Sequence, residues 1–336
     1  MLANNKSTEP CVNKWRITIS GLLVAYLLVL LLGCVSSSNT PELLLWEHQL
    51  VGKIWDVKQQ AFIDKTALVN RALESEYLLL GERHDNLVHH QHQTWLVQQL
   101  AKTPLQVSVA FEMIDNYQGE RLAKQKITSA DQLIALLNHS KTNWDYERNY
   151  KSLFAEVLAA GYKIDMANLN TKRLMHTVKQ GEDKLPAVYK RMLDKTPLST
   201  EQFNALQQEI NQSHCNMLDD KSSRKLVLAQ RMRDAIMAHS LLRSRAQVKV
   251  LIAGNGHVRN DRGVPLYLRS NLDTQGKQAR ILSIGLLEVE TGETDPLAYA
   301  ELWDNNTLPL DIVWFTPQVK RDDPCVKLRQ HFKSKS

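Results

Sequence analysis

Four short segments of this sequence carry side chains able to move protons or hold a charged ligand, and each follows an apolar run. Gly81-Glu82-Arg83-His84-Asp85 follows Tyr77–Leu80, and Glu112 follows Val107–Phe111. Asn168 follows Lys163–Ala167, and Gly254-Asn255-Gly256-His257 follows Val248–Ala253. Carboxylates and imidazoles are the usual acid–base partners of protein chemistry, and each favours the charged form of the other. Glycines in two of the segments let the backbone approach a ligand closely or take positive φ. Glu112 stands out, because a carboxylate directly after an apolar strand lies near the core and needs a partner. Plainer roles compete: Glu82 can sit at a helix N-terminus, and His84 can cap or pack. Arg83, His90 and Asn255 flank these residues and are further candidates for the same cleft.

Several familiar chemistries are excluded. Gly254-Asn255-Gly256 is not a dinucleotide motif, because Arg259 stands where the third glycine belongs. His84, His89, His90 and His92 resemble a metal tract, yet no two of them are spaced i, i+4. Only His89 and His92, at i, i+3, could share a helix face, so no metal site is assigned there. No GxSxG elbow, HExxH helix or P-loop occurs.

The four segments converge only if their strands form one sheet. The apolar runs are short and apolar on both parities, as in strands buried on both faces, and Ile281–Val289 is a fifth. Helical patterns separate them: about 85 to 101, from Ser129 through Leu137, and about 146 to 160, ending at Gly161. Strand–helix–strand alternation predicts an α/β fold with a mostly parallel central sheet and helices on both faces. Ligands bind such sheets outside the carboxyl ends of the strands. The stretch from about 170 to 245 lacks a strand pattern and reads as a helical insertion or lid. It contains a capping box at Ser199-Thr200-Glu201-Gln202 and a long helix with a stripe at Leu226, Ala229, Met232, Ile236 and Met237. Met175, Met192 and Met217 add to its thioethers, which suit either an adaptable apolar surface or ordinary core filling.

The N-terminus predicts the compartment. Lys14 and Arg16 precede an apolar run of 16 residues, Ile17 to Leu32, which is short for a membrane span of about 20. Leu31-Leu32-Gly33-Cys34 resembles a lipobox, with Cys34 as the lipid acceptor and Ser36-Ser37-Ser38-Asn39 as a tether. Val35 in place of an aspartate points to the outer membrane of a Gram-negative host, facing the periplasm. The expected division is signal 1–33, tether 34–45, α/β domain 46–317 and basic tail 318–336. Net charge is +6, of which the signal carries +2 and the tail +4, so the 284 residues between are neutral and nucleic acid is not expected. Cys215 and Cys325 remain for an oxidising compartment, where a disulfide is allowed and geometry decides.

The segments GERHDNLVHHQHQ (81–93), FEM (111–113), WDYERNY (144–150), IDMANLN (164–170), HCNML (214–218), AQRMRDAIMA (229–238) and AGNGHVRNDRGVP (253–265) together resemble the ChaN-like haem-binding lipoprotein family. That family is part of the wider Tiki/erythromycin-esterase superfamily. The resemblance spans about Tyr77 to Pro265. It implies haem binding in iron acquisition, with a tyrosine as the usual kind of iron ligand. Tyr117, Tyr146, Tyr150 and Tyr162 lie near the motif loops, and Tyr117 and Tyr146 are the preferred candidates. In related esterases and Tiki-like proteases the reactive centre is matched here by Glu82, His84, Glu112 and His257. The implied alternative is therefore a hydrolase in which Glu112 or Glu82 activates water, with a divalent metal as an optional aid, while His84 and His257 shuttle protons. A third reading leaves the cluster as a structural polar network. The implied partners are haem, the membrane through the N-terminal lipid and a haem transport machinery, with a homodimer left open.

Cys34→Ser is expected to release the protein from the membrane fraction and alter its processing, read by fractionation and gel migration. A variant that fractionates and migrates as wild type does would instead indicate an uncleaved signal anchor.

Overall fold

The computed structural model describes residues 42–326 apart from 141, 274, 277, 279 and 304–306. The signal, Cys34, most of the tether and residues 327–336 lie outside the described residues. Ten strands are present among those described: β1 (Leu43–Leu44), β2 (Ile54–Asp56), β3 (Ala61–Ile63), β4 (Tyr77–Glu82), β5 (Val107–Asp115), β6 (Lys163–Asn168), β7 (Val248–Gly254), β8 (Ile281–Glu288), β9 (Ile312–Thr316) and β10 (Gln318–Val319). Eight of them form the central sheet in the order β3-β2-β9-β8-β4-β7-β5-β6. The run from β9 to β6 is parallel throughout, and β2 joins its β9 edge antiparallel. From β4 the chain crosses to β5 on one side, and from β7 it crosses to β8 on the other. The reversal falls at the paired ends of β4 and β7, which is where open α/β sheets leave a crevice.

Period-two alternation explains the two layers. Leu79, Ala110, Leu251 and Ala253 point into one core, while Leu78, Leu80, Val109, Phe111, Val250 and Ile252 point into the other. The second core is covered by α1 (Lys65–Glu74), α2 (Leu87–Ala101), α4 (Ala130–Asn138), α5 (Tyr146–Asn149) and α6 (Lys151–Ala159). The short helix α3 (Asn116–Leu122) follows β5 directly. On the first face lie α7 (Thr171–Gln180), α8 (Ala187–Lys195), α10 (Asp220–Arg243) and α11 (Val264–Asp273). The sheet is therefore mostly parallel with helices on both faces.

The structure refines the expected elements in four places. The run expected as one helix over 146 to 160 is two, α5 and α6, parted at Tyr150, whose φ of −119° leaves the helical range. The insertion is not a separate lid as a whole: α10 is a core helix, with Ala229, Met232, Ile236, Met237 and Leu241 buried against the sheet. Lid character belongs to α9 (Thr200–Ser213), which buries only Leu206 and starts at the expected Ser199 capping box. Of the methionines in this region, Met192, Met232 and Met237 fill core, and Met217 is exposed.

The ends of the domain also differ from a free tether and a free tail. β1 pairs antiparallel with β10. Beyond β10, Arg321 grips both Asp85, at 2.5 and 2.6 Å, and Glu288, at 2.7 Å. Cys325 is bonded to Cys215, joining the end of α9 to this last segment across 110 residues of sequence. Residues 318–326 are thus part of the folded unit.

Gly81 in β4 illustrates how tightly the sheet ends are packed. A Cβ there would fall on the Asn255 side-chain oxygen and lie 2.6 Å from Val258 Cγ2 and 3.2 Å from the Ile284 carbonyl. Gly81→Ala is expected to destabilise the protein by about 2 kcal/mol, the usual scale of overpacking, measured by urea denaturation. A cost near zero would show that the β7–α11 loop can move away freely.

Candidate functional site

The paired ends of β4 and β7 place Glu82 opposite Gly254, and β5 lies next to β7. Glu112 was expected just after β5 but lies inside it, within an irregularity of the β5–β6 register between Phe111 and Asp115. Such irregularities re-aim side chains, and here Glu112 Oε2 accepts the Gly254 N–H at 2.8 Å. Glycine at 254 leaves this approach unobstructed: a Cβ there would lie 3.2 Å from His84 Nε2, which would have to shift slightly, and 3.6 Å from Glu112 Oε2.

Four of the sequence candidates converge. His84 Nδ1 meets Glu82 Oε1 at 2.8 Å, and His84 Nε2 lies 3.8 Å from Glu112 Oε2. His257 Nε2 lies 3.4 Å from Glu112 Oε1. Glu82 is buried and also receives the Tyr150 hydroxyl at 2.6 Å. His90 Nδ1 lies 3.2 Å from Glu82 Oε2 and 3.3 Å from Gln93 Oε1, and His90 Nε2 donates to the His84 carbonyl at 3.1 Å.

The electrostatics follow from burial plus pairing. Burial opposes the charge of His84, but Glu112 and Glu82 outweigh it and hold the imidazole up at about 9. Burial likewise opposes the charge of His257, and Glu112 and Asp234 raise it to about 10. Glu112 is penalised by its own burial, yet His257 and His84 pull it down to about 2. Glu82 is held well below the carboxylate range by His90 and His84, again against burial. The carboxylates are therefore ionised and the imidazoles protonated near neutral pH. His84, with its side chain 37% exposed, opens this buried charge network to solvent.

The remaining candidates play other parts. Asn168 donates to the Glu112 backbone carbonyl at 3.1 Å and so supports the β5 irregularity rather than facing the cleft. Asn255 donates to the Leu286 carbonyl at 2.7 Å, and its Oδ1 is buried without a hydrogen-bond partner. Arg83 is largely exposed, 3.6 Å from Glu288. Tyr117, at the start of α3, is 47% exposed. Tyr146 is 1% exposed, and its hydroxyl is committed between the Met113 carbonyl at 2.7 Å and Gln118 Nε2 at 3.0 Å. Tyr146 is thus a core residue, and its proposed role as an iron ligand loses its basis. His89 and His92 do not share a ligand face: His89 bonds Thr316 and the Arg83 N–H, and His92 stacks on Trp314. No group of three or more His, Cys, Asp or Glu among the described residues is arranged to hold a metal ion.

Sequence reasoning missed one anchor and named another without preferring it. Asp234 Oδ1 contacts His257 Nδ1 at 2.6 Å from the buried face of α10, and burial pushes its carboxyl up to about 6 against the pull of His257. The signal was a carboxylate inside the apolar stripe of the long helix. Tyr150 was the other, and the break between α5 and α6 puts its ring against His90 at 4.5 Å. Trp144 packs edge-on against His84 at 4.8 Å. Beside this cluster a cavity of about 640 Å³ is lined by Glu82, His84, Glu209, Gly256, Arg259 and Tyr299, among others.

Residues 68–268, which carry every member of the cluster, match the model of a family described as haem-binding uptake, Tiki superfamily, ChaN. The chain belongs to that family. A structure of cofacial haem binding to ChaN of Campylobacter jejuni has a similar fold, with a TM-score of 0.60 and 23% identity, covering 78% of this chain and 95% of that one. A more distant likeness is a mutant erythromycin esterase in its open conformation, with a TM-score of 0.42 and 10% identity, covering 81% of this chain and 99% of that one. No curated protein matches the chain by sequence.

The raised imidazoles give stability a pH dependence. The contribution from His84 and His257 is complete below the free value of 6.5 and is lost as pH rises through about 9 and about 10. Glu112→Gln removes the carboxylate that both rings face. It is expected to bring the His84 titration down from about 9 toward 6.5, read by histidine proton NMR. It should also cost about 3 kcal/mol near pH 7, as for a broken buried pair. An unmoved His84 titration would mean that Glu82 alone holds its charge.

Proposed function

We propose that this protein is an outer-membrane lipoprotein that binds haem at the carboxyl edge of its sheet and serves haem and iron uptake. The observation that carries the reading is that the family match covers the whole edge, from β4 to the loop after β7. The residues present fit the ligand in a specific way. Tyr117 is nearly half exposed immediately beyond β5, and tyrosinate is an established type of haem ligand. His84, although open to solvent, has Nδ1 on Glu82 and Nε2 facing Glu112, and both carboxylates favour its protonated form over an iron-ligating one. Bound haem would supply an iron centre, and the chain would supply the tyrosine and a fixed charge pattern beside it. Membrane attachment through Cys34 and delivery to a transport machinery complete the proposal. A homodimer as the working form is part of the same proposal.

The charge pattern also weighs against the hydrolase alternative. A general base works best with a pKa near the operating pH, and Glu112 at about 2 is far below it. Glu82 is held low in the same way. Neither carboxylate is tuned to deprotonate water at neutrality.

Haemin added to the protein without its signal is expected to give a high-spin ferric spectrum. Tyr117→Phe should abolish its tyrosinate features, whereas Tyr146→Phe should leave the spectrum intact and lower stability by about 1 kcal/mol, the scale of a lost hydrogen bond. A wild-type protein without a haem-induced spectrum would remove the binding reading altogether.

A further inference from the structure

The lid helix α9 rests on the loop that follows β7. Gln202 Nε2 donates to the Asp261 carbonyl at 2.6 Å. Two turns further along, Glu209 reaches over the Gly256 turn, where a Cβ on that glycine would lie 3.7 Å from Glu209 Oε1. Glu209 Oε2 accepts from Arg262 Nη2 and lies 3.7 Å from Arg259 Nη1. The two guanidiniums are almost wholly buried, at 4% and 2% exposure, whereas the Glu209 side chain is 44% exposed. Arg259 is also held by Asp261 through two parallel bonds of 2.9 and 2.7 Å. Glu209 is the ion-pair partner of Arg262 among the described residues, and Arg262 Nε is buried without a hydrogen bond.

This arrangement is unbalanced. A buried guanidinium needs a counter-charge, and leaving it unpaired is costly. Here that counter-charge comes from a solvent-exposed side chain on a helix that buries only Leu206. Exposed partners are screened and pay side-chain entropy, so they hold weakly. The guanidinium fork matches a carboxylate, and Glu209 and Arg259 line the same cavity as Glu82 and His84. Two of the other carboxylates lining that cavity are paired with cations, Glu82 with His84 and His90 and Glu288 with Arg321, and Glu290 lines it as well.

We propose that Arg259, which lines the cleft, and Arg262, which shares Glu209 with it, form a carboxylate-binding subsite, and that Glu209 of α9 holds the place of a ligand carboxylate. An incoming carboxylate displaces Glu209 and releases α9 from the loop. The subsite goes beyond the haem reading and rests on it only for the ligand's identity, which would then be a porphyrin propionate.

The test compares haemin with haemin dimethyl ester, whose propionates are blocked, and uses succinate as a carboxylate without a porphyrin. Glu209→Gln removes the competing carboxylate. It should bind haemin about three- to tenfold more tightly while leaving the ester unchanged, the scale of one partly exposed ion pair. Arg262→Gln should weaken haemin to the level of the ester. In thermal melts without porphyrin, succinate should raise the midpoint of Glu209→Gln but not that of Glu209→Gln/Arg262→Gln. If Glu209→Gln leaves haemin affinity unchanged or lower and its midpoint ignores succinate, the subsite is overturned, whether or not haem binds. If wild type binds neither porphyrin but succinate stabilises Glu209→Gln through Arg262, the haem reading fails and the subsite stands for another carboxylate.

Discussion

Glu112 has lost nearly all contact with solvent and keeps its negative charge, and the residues around it are placed to make that tolerable. A buried ionised carboxylate is far too costly alone. It is supported here by one backbone N–H, from Gly254, and by two imidazoliums, His84 and His257. Each support constrains a different element. Gly254, without a side chain, leaves room for His84 beside the end of β7. His84 must be brought back from the end of β4, which Glu82 achieves through its own hydrogen bond. His257 must be charged, which calls for Asp234 and so places a carboxylate on the buried side of α10. The irregularity in β5, held by Asn168, turns Glu112 toward all of them.

The result is a rim of fixed charge along a largely apolar sheet. Nearly every member faces another member, and His84 is the one through which the network meets the cleft. Within it Glu82 and Glu112 are held low, His84 and His257 are held high, and Asp234 alone is pushed up to about 6 by its burial on α10. The exposed tyrosine on the neighbouring helix and the Arg262 guanidinium beside α9 lie outside that set of paired charges.

Much of this was legible in the sequence because parallel strands are continuous apolar runs and their ends are marked by abrupt polarity. The five runs read as strands are strands, and Glu82, His84, Glu112 and His257 meet because parallel register leaves their ends no other place. What escaped shares a cause: it depends on contacts between distant segments. β9 was overlooked, although Ile312–Thr316 is apolar throughout most of its length, because no helix of the α/β rhythm precedes it. The strands β1, β2, β3 and β10 are two or three residues long, too short for periodicity to show. Asp234 reads as an ordinary helix carboxylate until His257 is set beside it. Tyr146 and Tyr150 look equivalent in sequence, and only the break between α5 and α6 separates a core phenol from one bonded to Glu82.

The bond between Cys215 and Cys325 couples the shape of the cleft to the order in which the chain is made. Cys215 is synthesised 110 residues before its partner. Throughout that interval α9 can form and cap itself, but the wall it contributes beside Gln212 and Ser213 stays covalently open. The bond holds the segment that carries Arg321, with its grip on Asp85 and Glu288, against the end of α9, so among the last residues to be made is one that fixes the cleft wall covalently.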